Sequence, residues 1–313
     1  MHTKSLAFVF PGQGSQAVGM LGDLSSTYQQ IKNTFEEASD VLGRDLWLLA
    51  QQGPAEELNL TQNTQPLVLT ASVALWRVWR SQSTLLPSFM AGHSLGEYTA
   101  LVCANSLSFV DAVKLVEQRA RFMQQAVPEG EGAMAAILGL EVAALIDICA
   151  QAAEGDVVSA VNFNAPGQVV IAGNKAAVNR AIELAKAQGA KRALALPVSV
   201  PSHCELMMPA SENLLSVMGN IDFATPEMPV VHNTDVAEHR ESADIKQALG
   251  KQLYTPVRWT ETIETLVSHK VSTVVECGPG KVLTGLNKRI DKSLELYSLG
   301  DERSLNNTLG ALS

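Results

Sequence analysis

One serine in the chain sits in a pattern suited to nucleophilic chemistry: Gly92-His93-Ser94-Leu95-Gly96. This is the G-x-S-x-G spacing of a nucleophile elbow, where a strand turns sharply into a helix and the hydroxyl projects from the bend. Glycines two residues to either side let neighbouring backbones approach, and the serine itself is expected in a strained conformation. The helix start behind it supplies unpaired N–H groups and a favourable dipole for negative charge developing on a substrate. The same five positions also occur by chance in ordinary turns. An apolar strand pattern before them and a helical pattern after them favour the elbow.

A serine hydroxyl needs a base. The chain has six histidines: His2, His93, His203, His232, His239 and His269. His2 and His239 lie in polar surroundings, His269 stands at a helix end where a cation suits the dipole, and His93 is expected to point away from its neighbour Ser94. His203, in Val200-Pro201-Ser202-His203-Cys204, follows an apolar run at a proline turn, far downstream of the serine as in hydrolase-like chain order. His232, at the end of another apolar run, is its rival. Spacing ranks His203 first without removing His232, and no acidic residue stands out as a third member.

A second candidate is a cation. Ser108 starts a helical pattern with Asp111 at the capping-partner position. At helical spacing Ala112, Val116, Arg119, Met123 and Ala126 share one stripe, and Lys114, Gln118, Arg121 and Gln125 another. Arg121 falls on a solvated face, whereas Arg119 interrupts an apolar one. A buried guanidinium is costly unless an anion meets it. That anion is either an internal Asp or Glu, or a substrate carboxylate held by two parallel charge-assisted hydrogen bonds.

The elements that must position these residues alternate. Apolar runs at Leu6–Phe10, Ser88–Ala91, Pro229–Val231 and Ser272–Val275 read as buried strands, with helical patterns over Tyr28–Leu42, Gln65–Arg80 and Glu97–Ala104 among them. This order predicts a mostly parallel α/β sheet. The middle differs. Strands at Ala133–Leu138, Val157–Asn162, Gln168–Ala172 and Lys191–Leu196, with helices at Glu141–Ala153 and Lys175–Gln188, give the order β-α-β-β-α-β with a hairpin at Ala165-Pro166-Gly167. Residues 128–197 are therefore expected as an inserted ferredoxin-like subdomain, and 1–127 with 198–313 as the catalytic α/β core.

Composition narrows the class. The chain has 313 residues, 46% hydrophobic and 18% charged, which excludes a disordered chain. A net charge of −9 argues against nucleic-acid or anionic-membrane binding. Four cysteines without a C-x-x-C pair suggest reduced thiols. The start lacks a signal-peptide pattern, and the apolar stretch Met134–Leu140 is too short to span a membrane, so a cytoplasmic protein is expected. Gly12-Gln13-Gly14-Ser15-Gln16-Ala17 matches the dinucleotide fingerprint G-x-G-x-x-A, but no prompt second strand or acidic residue follows. Gly278-Pro279-Gly280-Lys281 lacks phosphate-loop spacing. No His, Cys, Asp or Glu cluster has metal-ligand spacing.

Together these segments resemble the malonyl-CoA:acyl-carrier-protein transacylase family. The resemblance rests on Phe10-Pro11-Gly12-Gln13-Gly14-Ser15-Gln16, Gly92-His93-Ser94-Leu95-Gly96-Glu97-Tyr98 and Gln118-Arg119-Ala120-Arg121. Asn162-Phe163-Asn164, Val200-Pro201-Ser202-His203 and Gly278-Pro279-Gly280 extend it, in order, nearly to the C-terminus. It implies an α/β-hydrolase-like core with the ferredoxin-like insertion. It implies that Ser94 attacks the malonyl thioester, His203 takes the proton, and Gln13 and Leu95 offer backbone N–H groups to the oxyanion. Arg119 would grip the malonyl carboxylate, the Gln252 backbone carbonyl would orient His203, and Asn162, Met123 and Met134 would line the acyl pocket. The expected partners are malonyl-CoA and an acyl carrier protein, with no metal or prosthetic group and a monomeric state. An acidic carrier meeting an acidic protein calls for a local cationic patch. Lys191, Arg192, Lys281, Lys288 and Arg289, grouped after strand ends, are the candidates.

Overall fold

A computed structural model describes residues 5–198 and 200–312; His2 lies outside them. Five parallel strands form the main sheet: β1 (Ser5–Phe10), β2 (Phe89–Gly92), β7 (Val230–Val231), β8 (Val271–Glu276) and β9 (Glu295–Ser298), in the order β7-β2-β1-β8-β9. The continuous apolar run of β1 follows from its central place, because both of its faces are covered. Phe8 and Phe10 point into the larger core, where Phe8 packs against Trp76 and Trp79 of the long helix Thr61–Gln82 at 5.3 and 5.2 Å. Ala7 and Val9 point the other way, toward Trp259 and Leu283. Successive side chains alternate faces, as a strand requires.

The second sheet is antiparallel and built from the middle of the chain: β3 (Gly132–Leu138), β4 (Val158–Ala165), β5 (Gln168–Asn174) and β6 (Arg192–Ala195), in the order β4-β5-β3-β6. Helices Val142–Ala153 and Lys175–Ala187 cover one face with their own apolar core. The other face carries Met134, Val161, Val170 and Ala172, which pack with Cys204 of the main body. The β-α-β-β-α-β order and the turn at Pro166-Gly167 are as expected, but β4 runs three residues beyond Asn162. Its pairing with β5 shifts register between Ala160 and Asn162 and again between Phe163 and Ala165. A bulge of this kind bends a strand and frees backbone groups to pair elsewhere. Here Phe163 N–H donates to the Val257 carbonyl at 3.0 Å, and Val257 N–H to the Val161 carbonyl at 2.8 Å. The bulged strand thus ties the small sheet to the segment of the main body that leads into helix Trp259–Ser268.

Candidate active site

The elbow forms where β1 and β2 end side by side, with Phe10 opposite Gly92. Ser94 has φ +52°, a left-handed backbone that costs a non-glycine residue on the order of 1–3 kcal/mol and must be held by its surroundings. The flanking glycines have a steric cause. A Cβ on Gly92 would stand 1.9 Å from the Gly96 carbonyl carbon, and one on Gly96 would stand 2.0 Å from the Phe10 carbonyl oxygen. Asn233, just after β7, clamps the bend from both sides. Its Oδ1 accepts from Ser94 N–H and its Nδ2 donates to the Gly92 carbonyl, both at 2.7 Å.

His203 also has a positive φ, +68°, and its N–H donates to the Leu253 carbonyl at 2.9 Å. Its ring Nδ1–H donates to the Gln252 carbonyl oxygen at 2.6 Å. That bond fixes the tautomer, so Nε2 faces Ser94 Oγ as an acceptor at 2.8 Å. Burial pushes the imidazole down to about 3, and the Arg119 charge acts in the same direction, against the opposing bond to Gln252. The ring is therefore neutral at neutral pH, the form a base requires.

Arg119, on the helix Phe109–Ala126 that Ser108 caps, is only 1% exposed. Among the described residues it makes no ion pair, which removes the internal salt bridge as its explanation. Amides hold it instead: Nη1 donates to Gln65 Oε1 at 2.8 Å and Nη2 to Gln252 Oε1 at 3.0 Å. Nη2 also reaches Ser94 Oγ at 3.2 Å, and the guanidinium lies 5.4 Å from the Tyr98 ring centre. Nε is buried without a partner. Burial lowers its pKa, with Tyr98 and Glu97 opposing. Neutral acceptors orient the cation without cancelling its charge, so an anion entering beside Ser94 would find it uncompensated.

A cavity opens over Ser94, lined by Gln13, Leu95, Met123, Met134, Asn162 and His203 among others. Gln13 and Leu95 present backbone N–H groups that form no hydrogen bond among the described residues. Asn162, on the bulged part of β4, has a buried Oδ1 without a partner. A wider groove continues between the two sheets, past His93, Asn164 and Val282. His93 turns its ring from the serine to Asn164 Oδ1 at 2.8 Å. The rival base His232 is fully buried and pairs with Glu97 Oε1 at 2.7 Å, not with Ser94. Among the described residues no group of three or more His, Cys, Asp or Glu side chains could hold a metal ion, and no helix is long and apolar enough to cross a membrane.

A family model described as an acyl transferase domain matches residues 7–298. The chain belongs to the acyl transferase domain family. It is 57% identical over 303 residues to the malonyl CoA-acyl carrier protein transacylase of Salmonella typhimurium, covering 97% of this chain and 98% of that protein. It is 60% identical to the enzyme of the same name from Haemophilus influenzae, covering 97% of each. Among solved structures, the malonyl CoA-acyl carrier protein transacylase of Coxiella burnetii superposes with a TM-score of 0.97 at 50% identity, covering 99% of this chain and 98% of that one. A malonyl-transacylase in complex with its type II PKS acyl-carrier protein gives a TM-score of 0.97 at 55% identity, covering 98% and 99%.

Read as an acyl transferase, the site holds residues that sequence spacing did not single out. Gln65, Asn233 and the side chain of Gln252 form its amide scaffold, and only the Gln252 backbone was expected. No pattern marks them in the sequence: Gln65 is 1% exposed, but the buried side of helix Thr61–Gln82 also carries Thr61, Asn63, Thr64, Thr70 and Ser72. The five candidate patch residues are all exposed. Arg289 donates to the Pro166 carbonyl at 3.2 Å and to Gln168 Oε1 at 2.5 Å, beside the groove. Lys281 is engaged by Asp301 at 3.1 Å.

Proposed function

We propose that this acyltransferase moves the malonyl group from malonyl-CoA to the phosphopantetheine thiol of an acyl carrier protein through a malonyl ester on Ser94, supplying fatty-acid chain elongation. The observation that carries the reading is Arg119, a buried cation without a carboxylate partner, 3.2 Å from Ser94 Oγ. A donor whose acyl group ends in a carboxylate supplies the missing anion.

Ser94 Oγ attacks the thioester carbonyl as its proton passes to His203 Nε2. The carbonyl oxygen becomes an oxyanion facing the N–H groups of Gln13 and Leu95. When the tetrahedral intermediate collapses, the C–S bond breaks, coenzyme A leaves as its thiol with the proton from His203, and malonyl-Ser94 remains. The carrier's thiol then attacks this ester. His203 takes the thiol proton and returns it to Ser94 Oγ, so the enzyme is regenerated by a second transfer. The chemistry uses side chains of the chain alone and calls for no metal or prosthetic group.

The charge arrangement favours the intended donor. His203 is a weak base partly because Arg119 opposes its protonation. A malonyl carboxylate on Arg119 cancels that opposition, so the base strengthens when a carboxylate-bearing donor is bound and not with an uncharged one. Residues 1–127 and 198–313 supply the reacting groups in this reading. Residues 128–197 supply the acyl-pocket wall through Met134 and Asn162, opposite Met123. The groove between the sheets takes the pantetheine arm of either partner. These groups all come from one copy of the chain, so the reading needs no second copy to complete the site. Four free buried cysteines fit a reducing cytoplasm.

Intact-mass measurement after mixing with malonyl-CoA tests the reading. The wild type is expected to gain one malonyl group, to keep it in water, and to lose it on adding holo carrier protein, while Ser94→Ala gains none. A wild type that stays unmodified, or that releases malonate to water as fast as to the carrier, overturns it.

A further inference from the structure

The transfer as proposed leaves unexplained a buried carboxylate that lies among the reacting groups. Glu97 lies three residues after Ser94 in the first turn of helix Gly96–Cys103, with no exposed surface. Its oxygens accept three N–H groups: His232 Nδ1 at 2.7 Å, the Asn233 backbone at 2.9 Å and Gln252 Nε2 at 3.0 Å. An acceptor-only group ringed by donors fits an ionised carboxylate. Two of these donors act directly on the reacting residues. Asn233 clamps the strained elbow at Ser94 N–H and the Gly92 carbonyl. Gln252 holds His203 through its backbone and Arg119 through its side chain.

The side-chain amide of Gln252 could sit in either of two orientations, and only one serves Arg119. With its NH2 turned toward the guanidinium, donor would face donor. Glu97 Oε2 and the Ser94 carbonyl, 2.9 Å from Nε2, both demand an N–H and so force Oε1 toward Arg119. Charge adds a second reason. When His203 takes the serine proton, an imidazolium forms in a buried site, and Glu97 is a buried acid linked to that ring through Gln252.

We propose that Glu97 is a positioning residue for the acyl transfer: through Gln252 and Asn233, one buried carboxylate aligns the base, the carboxylate-binding arginine and the elbow together. The third charge of a serine–histidine–acid triad is then present but displaced, acting through an intervening glutamine. The inference rests on the malonyl-transfer reading for its statement about Arg119 and is independent of it for Ser94 and His203.

The test compares Glu97→Gln with the double variant Glu97→Gln, His232→Gln. The double variant removes both members of the buried pair, so it keeps the experiment informative if the single variant fails to fold. Two rates are read on folded protein: phosphonylation of Ser94 by a small fluorophosphonate, and acylation of Ser94 by malonyl-CoA against acetyl-CoA. Phosphonylation is expected to slow about tenfold or more, the effect of losing roughly 1.4 kcal/mol of transition-state stabilisation. The malonyl rate is expected to fall further than the acetyl rate, so the preference for malonyl shrinks. Phosphonylation within twofold of wild type in a folded variant overturns the proposal, as does an equal proportional loss for both acyl donors. A wild type that is phosphonylated at Ser94 yet not acylated by malonyl-CoA would refute the malonyl reading, while the phosphonylation comparison would still decide the role of Glu97.

Discussion

The two sheets contribute in opposite ways to one cavity. The lobe of the parallel sheet supplies two strained connections: Ser94 follows β2, and His203 lies between β6 and the helix Met208–Met218; both have left-handed backbones, each locked by a hydrogen bond to a distant part of the chain. The antiparallel sheet reaches the cavity with ordinary strand residues, Met134 from β3 and Asn162 from the bulge of β4. Strain of this kind persists only where the surroundings over-determine it, and a large core covered on both faces provides that. Reactivity thus belongs to the lobe of the parallel sheet, and fit is shared between the lobes.

Arg119 gives the lobe of the parallel sheet its share in selection. Arg119→Ala is expected to lower kcat/KM for malonyl-CoA by about 10²- to 10⁴-fold, the loss of two charge-assisted hydrogen bonds of roughly 1.5–3 kcal/mol each. It should spare, or even raise, transfer from acetyl-CoA, because His203 then loses a neighbouring positive charge. Steady-state kinetics with both donors checks this. Equal losses would leave Arg119 a structural cation.

How legible the site was depended on which physical rule a residue obeys. The elbow was readable because Gly92 and Gly96 answer to sterics, and sterics require one residue type at fixed spacing. Arg119 was readable because a cation on an apolar stripe breaks the helical pattern, although the choice between an internal partner and a substrate needed coordinates. Gln65, Asn233 and the Gln252 side chain were not readable. A neutral amide carries no pattern until its partners are known, and those partners lie up to 158 residues away. The same contrast holds for the fold. β1 and β8 announce themselves as apolar runs, whereas β9 is a four-residue edge strand with one buried position and gives no comparable signal.

Burial in the lobe of the parallel sheet also has a pH-dependent consequence. His203 titrates well below its ordinary 6.5 in the folded chain, mainly because it is buried. Its stabilising contribution is therefore complete above pH 6.5 and is lost as the pH falls toward about 3, because the unfolded chain takes up a proton that the folded ring refuses. Burial lowers His93 too, so it contributes with the same sign. His203→Gln should flatten the fall in melting temperature over that window without abolishing it. Thermal melts from pH 7 down to pH 4 read the difference, and superimposable curves for the two proteins would refute it. The elbow should lose its reactivity in the same variant at every pH, since no neutral base then faces Ser94.

The smallest expected effect lies at the outer end of the groove, where the two sheets meet. Lys191 packs against Gly139, a Cβ on Gly167 would lie 3.8 Å from Gly139, and the adjoining Pro166 carbonyl accepts from Arg289. Three segments thus bring exposed cations from both sheets around one hairpin tip on a protein of net charge −9. Lys281 is already engaged with Asp301, so its charge is less available to an acidic carrier. Exposed charges contribute only about 0.2–1 kcal/mol each and act mainly on encounter. Lys191→Glu, Arg192→Glu and Lys288→Glu together are therefore expected to slow transfer to the carrier severalfold at low salt, with the difference shrinking as salt rises. Acylation of Ser94 by malonyl-CoA should change less, because the elbow, the base and Arg119 are untouched. Stopped-flow transfer rates at two ionic strengths separate the half-reactions. If transfer and its salt dependence both match wild type, the carrier approaches by another face, and fit at the hairpin tip is not part of what the small sheet supplies.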